Sequence, residues 1–406
     1  MPLESHAIVC LSSQRWDEGM WTNKQHIMSR LAKRTRIVHV DFGLRDPVTY
    51  LWQRFKQRDR QLWKMHRLPV DGVVERGPNL WVSGSWAPWG VGRLSRQSRL
   101  RDYFSYEHKL DMVKRFLARE GITHPIVWTY HPGYGEVIDQ LPRRLLVYDC
   151  VDDYGAFPEY AADADWLARR EEALCRKSDV VFTTSKTLLE LRKPFNPHTH
   201  LVENVGDAAH FGLAFADGTV PHPEAAALRR PVIAFVGAVS AYKLNLEWML
   251  HAATARPEWT FLVIGPVGLA DPDTNVQALR KLPNVHITGM KPYAELPAWL
   301  KAVDVTVIPY NINRYTASVF PIKFFEMLAT GKPLVISALP SLEAYFDDVL
   351  VARDAEGFVG ACEAALRDTP QQREHRLALA QRNSWEKRVA ELSAHVERRL
   401  DETESP

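Results

Sequence analysis

Residues 289–333 read GMKPYAELPAWLKAVDVTVIPYNINRYTASVFPIKFFEMLATGKP, and this stretch decides the fold class. It predicts a helix, a strand that ends at Pro309, a polar loop, a second helix over residues 321–328 and a turn into another strand. Doubly wound sheets bind their ligands beyond the carboxyl ends of the strands, and helix N-termini favour phosphate. The loop over residues 311–320 is therefore a predicted ligand site.

Short apolar runs alternate with segments of helical period along the whole chain. Such runs indicate parallel strands that are covered by helices on both faces. The chain is therefore predicted to be an α/β protein. The predicted strands cover residues 7–11, 35–40, 126–130, 145–148, 180–183, 232–236, 261–264, 285–288, 305–308 and 333–336.

A loose segment rich in Gly, Ala, Pro and Asp, residues 204–231, separates two series of strands and helices. We therefore predict two Rossmann-like domains, residues 1–208 and residues 209–384. Residues 385–406 predict a charged amphipathic helix that packs back on the first domain.

Composition excludes several classes of protein. The 406 residues carry a net charge of +2, which gives no support for a nucleic-acid partner. The four cysteines lie far apart without a C-x-x-C pair, so neither a zinc site nor a disulfide framework is predicted. The start of the chain has no signal-sequence pattern, and no stretch approaches the roughly 20 apolar residues that cross a bilayer. A cytoplasmic location is expected.

Residues 51–120 combine an excess of Lys and Arg with many aromatic residues. This mixture suits a membrane interface, with the protein peripheral at the inner face of the plasma membrane. A solvated helix face over an ordinary aromatic core explains the same pattern, and the sequence does not separate the two.

The motifs in residues 289–333 resemble GT-B glycosyltransferases, above all the large retaining group with an E-x7-E signature followed by A-x-G-x-P-V. The matching residues include Pro321, Lys323, Glu326, Ala329, Gly331 and Pro333. Four more segments resemble a subgroup of bacterial teichuronic-acid and exopolysaccharide glycosyltransferases: SSQRWDEGMWTNKQHIMSRLA from residue 12, YDCVDD from residue 148, SDVVFTTSKTLLE from residue 178 and ENVGDAAHF from residue 203. The resemblance implies two domains that face a cleft, with the acceptor on the first and a nucleotide sugar on the second.

The resemblance assigns a donor site to the second domain. Glu326 maps to the second Glu of the signature, which binds the ribose hydroxyls, while Ser318 stands where the first Glu is expected. A carboxylate that accepts two hydroxyl hydrogens makes charge-assisted bonds. A simple helix-surface carboxylate is the alternative for Glu326.

The diphosphate of the donor needs cations or amides. Gly237 would let the backbone approach it, and Lys243 and Lys323 would neutralise it together with the amides of residues 316–320. No D-x-D motif is evident, so we expect neither a metal nor another cofactor. The candidate donor-binding residues are Gly237, Lys243, Thr316, Ser318, Val319, Phe320, Lys323 and Glu326, and the donor is UDP-, GDP- or dTDP-linked.

The first domain offers candidate catalytic residues after two predicted strands. His131 corresponds to a histidine that contacts the donor sugar in related enzymes, and Asp152 and Asp153 offer a carboxylate near the reacting centre. Strand capping by His131 and loop hydrogen bonds by Asp149 or Asp152 are the alternatives.

The resemblance implies sugar transfer to a glycan or lipid-linked acceptor in bacterial cell-surface polysaccharide synthesis. Retention of configuration is favoured, and an inverting reaction with Asp152 or Asp153 as base stays open. A non-catalytic nucleotide-sugar-binding module and a sugar-nucleotide epimerase of the same fold are the alternatives. A nicotinamide dehydrogenase is disfavoured because neither half carries G-x-G-x-x-G after its first strand.

Overall fold

The computed structural model describes residues 2–17, 21–41, 72–84, 98–135, 137–269 and 271–403, with backbone alone for residues 98–108 and for Glu159. Within the basic aromatic segment predicted at residues 51–120, residues 51–71 and 85–97 lie outside the described residues. The chain divides into two compact units. One comprises Met1–Val202 with Val389–Pro406, and the other is Glu203–Arg388.

The first unit contains an eight-stranded sheet in the order β3-β4-β2-β1-β5-β6-β7-β8. All neighbours are parallel except β3 and β4, which pair antiparallel. The strands are β1 (Ile8–Leu11), β2 (Ile37–Val40), β3 (Gly72–Gly77), β4 (Leu80–Gly84), β5 (Ile126–Thr129), β6 (Leu145–Cys150), β7 (Val180–Thr183) and β8 (Thr199–Leu201). The helices are α1 (Asn23–Leu31), α2 (Ser98–Arg119), α3 (Ala164–Lys177) and α4 (Lys186–Arg192).

The second unit contains a six-stranded parallel sheet in the order β11-β10-β9-β12-β13-β14. The strands are β9 (Val232–Val236), β10 (Thr260–Ile264), β11 (Val285–Gly289), β12 (Val305–Ile308), β13 (Leu334–Ser337) and β14 (Leu350–Ala352). The helices are α5 (Ala208–Gly212), α6 (Pro223–Ala226), α7 (Leu246–Ala255), α8 (Gln277–Arg280), α9 (Leu296–Lys301), α10 (Arg314–Ser318), α11 (Lys323–Ala329), α12 (Ala355–Ala365) and α13 (Pro370–Arg382).

The last helix, α14 (Trp385–Glu402), contributes residues to both units. Short 3-10 turns complete the elements: Leu3–Ser5, Pro132–Tyr134, Ile138–Gln140, Tyr154–Ala156, Pro158–Asp163, Lys193–Phe195, Tyr293–Glu295 and Pro340–Tyr345. No helix in the described part of the chain is long and apolar enough to span a bilayer.

Each predicted strand is present, and the α/β class with two Rossmann-like domains is confirmed. The strands are apolar along their length because both faces are covered. In β1 and β9, for example, every residue is buried. The sequence reading missed β3, β4, β8 and β14. Two of these, β8 and β14, are only three residues long, and β3 is a half-exposed edge strand without a continuous apolar run.

The compact units divide after Val202, whereas the sequence placed the boundary after residue 208. Residues 203–207 are held by hydrogen bonds within the second unit. The Asn204 side-chain amide donates to the carbonyl of Phe320 at 2.7 Å, and the Tyr345 hydroxyl donates to Glu203 at 2.7 Å. These contacts join residues more than 100 positions apart, so local composition does not reveal them.

Candidate functional site

The sheet of the second unit has a topological switch point between β9 and β12. The strand order runs outward in opposite directions from these two neighbours. The loops that follow them therefore leave the sheet in different directions and open a crevice at its carboxyl edge, where doubly wound folds bind ligands. Gly237 directly follows β9, and Pro309 directly follows β12.

Gly237 is packed against Lys323, the first residue of α11. A Cβ atom at Gly237 would lie 2.3 Å from Cε of Lys323, and the glycine has φ +152°, so a side chain there would strain the backbone and displace the Lys323 side chain. Gly265, which follows β10, lies behind it: a Cβ there would lie 1.9 Å from the Gly237 carbonyl oxygen. Two glycine turns thus bring the backbone after β9 into contact with the Lys323 side chain.

Glu326 lies about one helical turn after Lys323 on α11. Its side chain is half-buried, yet its carboxyl is surrounded by enough protein that loss of hydration raises its pKa from 4.5 to about 7. Lys323 opposes this shift, and the carboxylate of Asp207 adds to it. Glu326 therefore shares a charged cluster with Lys323 and Asp207.

Asp207 and Gly206 were not among the predicted site residues. Gly206 lies against α11, since a Cβ there would be 2.5 Å from the Glu326 amide nitrogen. Asp207 accepts hydrogen bonds from the His210 amide at 3.2 Å and from the Tyr293 hydroxyl at 3.3 Å. The segment ENVGDAAHF carried a family-like pattern around both residues, so a signal for them existed in the sequence.

Lys243 reaches the same edge of the sheet from the loop after β9. Its Nζ lies 4.9 Å from the centre of the Tyr310 ring, and Tyr310 follows β12. The loops are joined by hydrogen bonds, because the Asn311 amide donates to the Lys243 carbonyl at 2.8 Å and the Asn313 side chain donates to the Tyr242 carbonyl at 2.6 Å. The structure thus brings Gly237, Lys243, Lys323 and Glu326 to one region of the second unit.

The backbone amides of Thr316 and Val319 form hydrogen bonds within α10 and its N-terminal cap. The Thr316 amide donates to Oδ1 of Asn313 at 3.0 Å in a capping box, and the Val319 amide donates to the Thr316 carbonyl at 3.3 Å. The Thr316 hydroxyl donates to the Asn311 carbonyl at 2.5 Å. These polar groups stabilise the turn, so a cradle of free amides at Thr316 and Val319 is not what this structure presents.

Ser318, Val319 and Phe320 are buried. The Ser318 hydroxyl donates to the Tyr315 carbonyl at 2.8 Å, and the Val319 carbonyl accepts a hydrogen bond from Ser341 at 2.6 Å. The ring of Phe320 stacks on Phe325, with centres 5.8 Å apart, inside the core of the second unit. In this structure the three residues pack the loop rather than expose groups to a ligand.

His131 lies at the switch point of the other sheet, between β1 and β5, and directly precedes the turn Pro132–Tyr134. Its Nδ1 accepts a hydrogen bond from the Gly133 amide at 3.0 Å, and its ring packs against Tyr154 with centres 4.5 Å apart. Burial, with Lys24 and Arg170 nearby, lowers its pKa to about 3. The ring is therefore neutral at physiological pH and carries its proton on Nε2.

Asp152 and Asp153 differ in their surroundings. Asp153 is buried and lies 3.6 Å from Arg192, which also pairs with the buried Glu171 at 2.7 Å. Asp152 is half-buried, and its charge contributes to the raised pKa of Tyr154, the residue that packs on His131. Asp153 therefore belongs to an internal ion pair, and Asp152 is the more exposed of the two residues. Asp149 is fully buried within β6.

An open surface depression of about 410 Å³ lies elsewhere in the second unit, along the edge strand β11. It is lined by residues that include Arg280, His286 and Lys291. Strand β11 is separated from the switch point by β10 and β9, so this depression is not the site described above. Among the residues that the structure describes, no group of three or more His, Cys, Asp or Glu side chains is arranged to hold a metal ion.

Residues 230–368 match the family model described as glycosyl transferases group 1. The chain is 28% identical over 309 residues to a putative teichuronic acid biosynthesis glycosyltransferase, TuaH of Bacillus subtilis, and the match covers 72% of this chain and 77% of that protein.

Two solved structures illustrate the likeness of fold. Sucrose-phosphate synthase from Thermosynechococcus elongatus is similar with a TM-score of 0.68 at 18% identity, over 98% of this chain and 100% of that one. HepE of Anabaena, solved in complex with UDP and glucose, is similar with a TM-score of 0.64 at 15% identity, over 97% of this chain and 99% of that one. At these identities the structural likeness shows the fold alone.

Proposed function

We propose a reaction, a donor and an acceptor class for this chain. It is a glycosyltransferase of the GT-B fold, with a group 1 glycosyl transferase domain over residues 230–368. The enzyme transfers a sugar from a nucleotide-sugar donor to a glycan or lipid-linked acceptor in bacterial cell-surface polysaccharide synthesis. The observation that carries this proposal is the convergence of Gly237, Lys323, Glu326 and Lys243 at the switch point of the second sheet.

The charges of this cluster suit a nucleoside diphosphate. Glycosyl transfer places negative charge on the departing diphosphate, and a preorganised cation stabilises that charge best. Lys323 and Lys243 supply two cations, and Gly237 lets the backbone approach. Glu326 accepts two ribose hydroxyls, and this contact requires the ionised carboxylate.

His131 is proposed to hold the donor sugar. Because its Nδ1 is occupied by the Gly133 amide, its Nε2–H is the group that donates to a sugar oxygen. Its pKa of about 3 keeps this donor neutral at physiological pH. A neutral donor orients the sugar without adding repulsion to the positive charge that develops at its ring.

Retention of configuration is proposed. In a retaining reaction without a general base, the leaving phosphate accepts the proton of the acceptor hydroxyl. The pairing of Asp153 with Arg192 supports this, since it withdraws one of the two carboxylates that an inverting reaction would use as base. The anomeric configuration of the product, read by NMR, decides it: an inverted product with Asp152 required would assign Asp152 as the base.

No metal is proposed to take part, because Lys243 and Lys323 supply positive charge for the diphosphate. Transfer rates measured with and without EDTA are expected to agree. A loss in EDTA that Mg²⁺ or Mn²⁺ restores would show that the two lysines do not suffice.

The acceptor class and a position at the inner face of the plasma membrane are supported by the likeness to TuaH and by the basic aromatic composition of residues 51–120. Co-sedimentation with vesicles tests the membrane part. Binding that rises with anionic lipid and falls with salt is expected, and binding insensitive to both would contradict it.

A thermal-shift screen with UDP, GDP, dTDP and their sugars tests the donor site. A ligand that binds only the folded state raises the melting temperature by mass action. One nucleotide series should stabilise the wild type and lose its effect in Glu326→Ala. Glu343→Ala, which removes an exposed carboxylate of the same unit, is the matched control and should keep the full shift.

Three other outcomes would contradict the proposal. A shift of equal size in Glu326→Ala would remove the ribose role. No shift with any nucleotide would favour a binding module that has lost its donor site. Conversion of the donor sugar in the absence of any acceptor would identify an epimerase.

A further inference from the structure

Tyr310 lies close to Lys243 and to the turn at Gly237, but it is not one of the predicted site residues. It follows β12 and is 1% exposed. Its amide donates to the Ser337 hydroxyl at 3.0 Å, and its backbone pairs with Leu244 in an isolated antiparallel bridge. The residue is therefore held between the loop after β9 and the end of β13.

The ring of Tyr310 supports Lys243. The Nζ atom of Lys243 lies 4.9 Å from the ring centre, which is within the range of a cation–π contact. The Asn311 amide donates to the Lys243 carbonyl at 2.8 Å. Both the backbone and the ammonium group of Lys243 are therefore held by contacts with residues 310 and 311.

A second line of contacts leads from Tyr310 to Lys323. The ring packs edge-on to Phe235, with centres 6.4 Å apart, and a Cβ at Gly237 would lie 3.2 Å from the tip of the Phe235 ring and 2.3 Å from Cε of Lys323. Phe235 and Gly237 thus fill the space between Tyr310 and the Lys323 side chain. The phenol also feels the charges of Lys323 and Glu326: burial raises the pKa of Tyr310, Lys323 opposes the rise and Glu326 adds to it.

We propose that Tyr310 is a positioning residue that sets the places of Lys243 and Lys323 at the donor diphosphate. This inference rests on the proposed function, because it assigns the two cations to the diphosphate. The aromatic ring holds both lysine side chains in place before the nucleotide binds. Each lysine then contacts a phosphate without losing further side-chain conformational entropy on binding.

An ordinary core tyrosine would behave differently. A purely structural ring stabilises the fold, and its removal changes the nucleotide dissociation constant by a similar factor whether or not Lys243 is present. A positioning ring makes the contribution of Lys243 depend on the residue at position 310. A double-mutant cycle separates these two cases.

The experiment measures the dissociation constants of UDP, GDP and dTDP by calorimetry at pH 8, where Glu326 is ionised. Lys243→Met is expected to weaken the best nucleotide about tenfold in the wild-type background, as loss of a charge-assisted contact does. In the Tyr310→Leu background the same change should cost less than about threefold, because Lys243 has already lost its support. Tyr310→Phe keeps the ring and should keep the full effect of Lys243→Met.

Tyr345→Phe is the matched control, since it removes a phenol hydroxyl of the same unit that donates to Glu203 at 2.7 Å. The effect of Lys243→Met should be unchanged there. If Tyr310→Leu does not fold, Tyr310→Met supplies a ringless variant with a flexible side chain of similar length. Melting curves identify the folded variants.

Equal losses from Lys243→Met in the wild-type and ringless backgrounds would overturn the positioning role while leaving nucleotide binding intact. Absence of nucleotide binding by the wild type would overturn the proposed function, and the positioning role with it.

Discussion

Glu326 combines a functional position with an unfavourable environment. Burial raises its pKa from 4.5 to about 7, so the folded protein disfavours the ionised form that ribose binding requires. Because the folded-state pKa lies above the unfolded one, the penalty on stability grows as pH rises from about 4.5 to about 7 and stays constant above that.

Glu326→Gln is therefore expected to stabilise the fold and to weaken nucleotide binding at the same time. At pH 8 the free energy of unfolding should rise by about 1–3 kcal/mol, and the gain should shrink as pH falls from about 7 and be gone below about pH 4.5. Nucleotide affinity of the wild type should fall below about pH 7 as the carboxylate takes up its proton. Urea denaturation and calorimetry at several pH values measure both. A variant no more stable than wild type at pH 8 would show that the carboxyl is well hydrated.

Asp152 and Asp153 are adjacent in sequence but should respond differently to the same substitution. Asp153→Asn removes a charge partner of the buried Arg192 and is expected to lower the free energy of unfolding by about 1–3 kcal/mol. Asp152→Asn should cost less stability, because Asp152 is half-buried whereas Asp153 is buried, and should lower the transfer rate. Urea denaturation and initial rates, compared for the two variants, check this. Equal stability losses would place both carboxylates in the internal ion pair.

At the level of elements, the turns after β9 and β10 are built on a contact between two glycines. Gly265→Ala would place a Cβ 1.9 Å from the Gly237 carbonyl oxygen, with φ +149°, so the backbone of both turns must move. We expect a loss of more than about 3 kcal/mol together with weaker nucleotide binding.

Gly360→Ala is the matched control for that change. Gly360 lies within α12, is exposed and has nothing within 4 Å of an added Cβ. It should gain about 0.5–1 kcal/mol from helix propensity. Chemical denaturation measures both variants, and a mild effect of Gly265→Ala would show that the turns are not tightly coupled.

In the segment after β12, the secondary structure is predictable from sequence but the role of the loop residues is not. The strand, the polar loop and the helix that begins with Lys323 all follow from hydrophobic periodicity and turn residues. The role of residues 316–320 does not, because capping of α10 by Asn313 already uses the Thr316 amide. A capped turn and an open phosphate loop have similar composition, and only the hydrogen-bond partners distinguish them.

At the level of the whole molecule, α14 contributes buried residues to both units. Arg388 is 1% exposed and donates to Asn204 at 2.8 Å in one unit, while the ring of His395 packs at a tilt against His200, with ring centres 4.0 Å apart, in the other. Leu392 is 1% exposed on the same helix. The chain therefore passes between the two units once after Val202 and once within α14.

Leu392→Ala is expected to destabilise the protein by about 2–4 kcal/mol through the cavity it leaves. Glu391→Ala changes an exposed neighbour and should stay within about 0.5 kcal/mol. Thermal and urea unfolding measure the pair. A small effect of Leu392→Ala would mean that α14 contributes little to the core of the first unit.

The packed pair His200 and His395 predicts sensitivity to acid. Burial lowers the pKa of both rings, that of His200 to about 4, so the folded state resists protonation that the unfolded chain accepts below about pH 6.5. Stability should therefore fall as pH drops from about 6.5 towards 4. The fall should be smaller in a His200→Asn/His395→Asn variant, followed by melting temperature, and an equal fall would assign the acid sensitivity to other groups.

The α/β class, most strands of both sheets and the family-like donor motif with Lys323 and Glu326 follow from the amino-acid sequence alone. These are local properties: an apolar run that is buried on both faces, or a carboxylate one helical turn after a lysine, is visible in a short window of residues. Which distant residues meet them depends on the tertiary structure. Strand order makes β9 and β12 neighbours, and that adjacency brings Gly237, Lys243 and Tyr310 to α11. Likewise, only the packing around Arg192 separates Asp153 from Asp152, because burial and ion pairing depend on elements far apart in the chain.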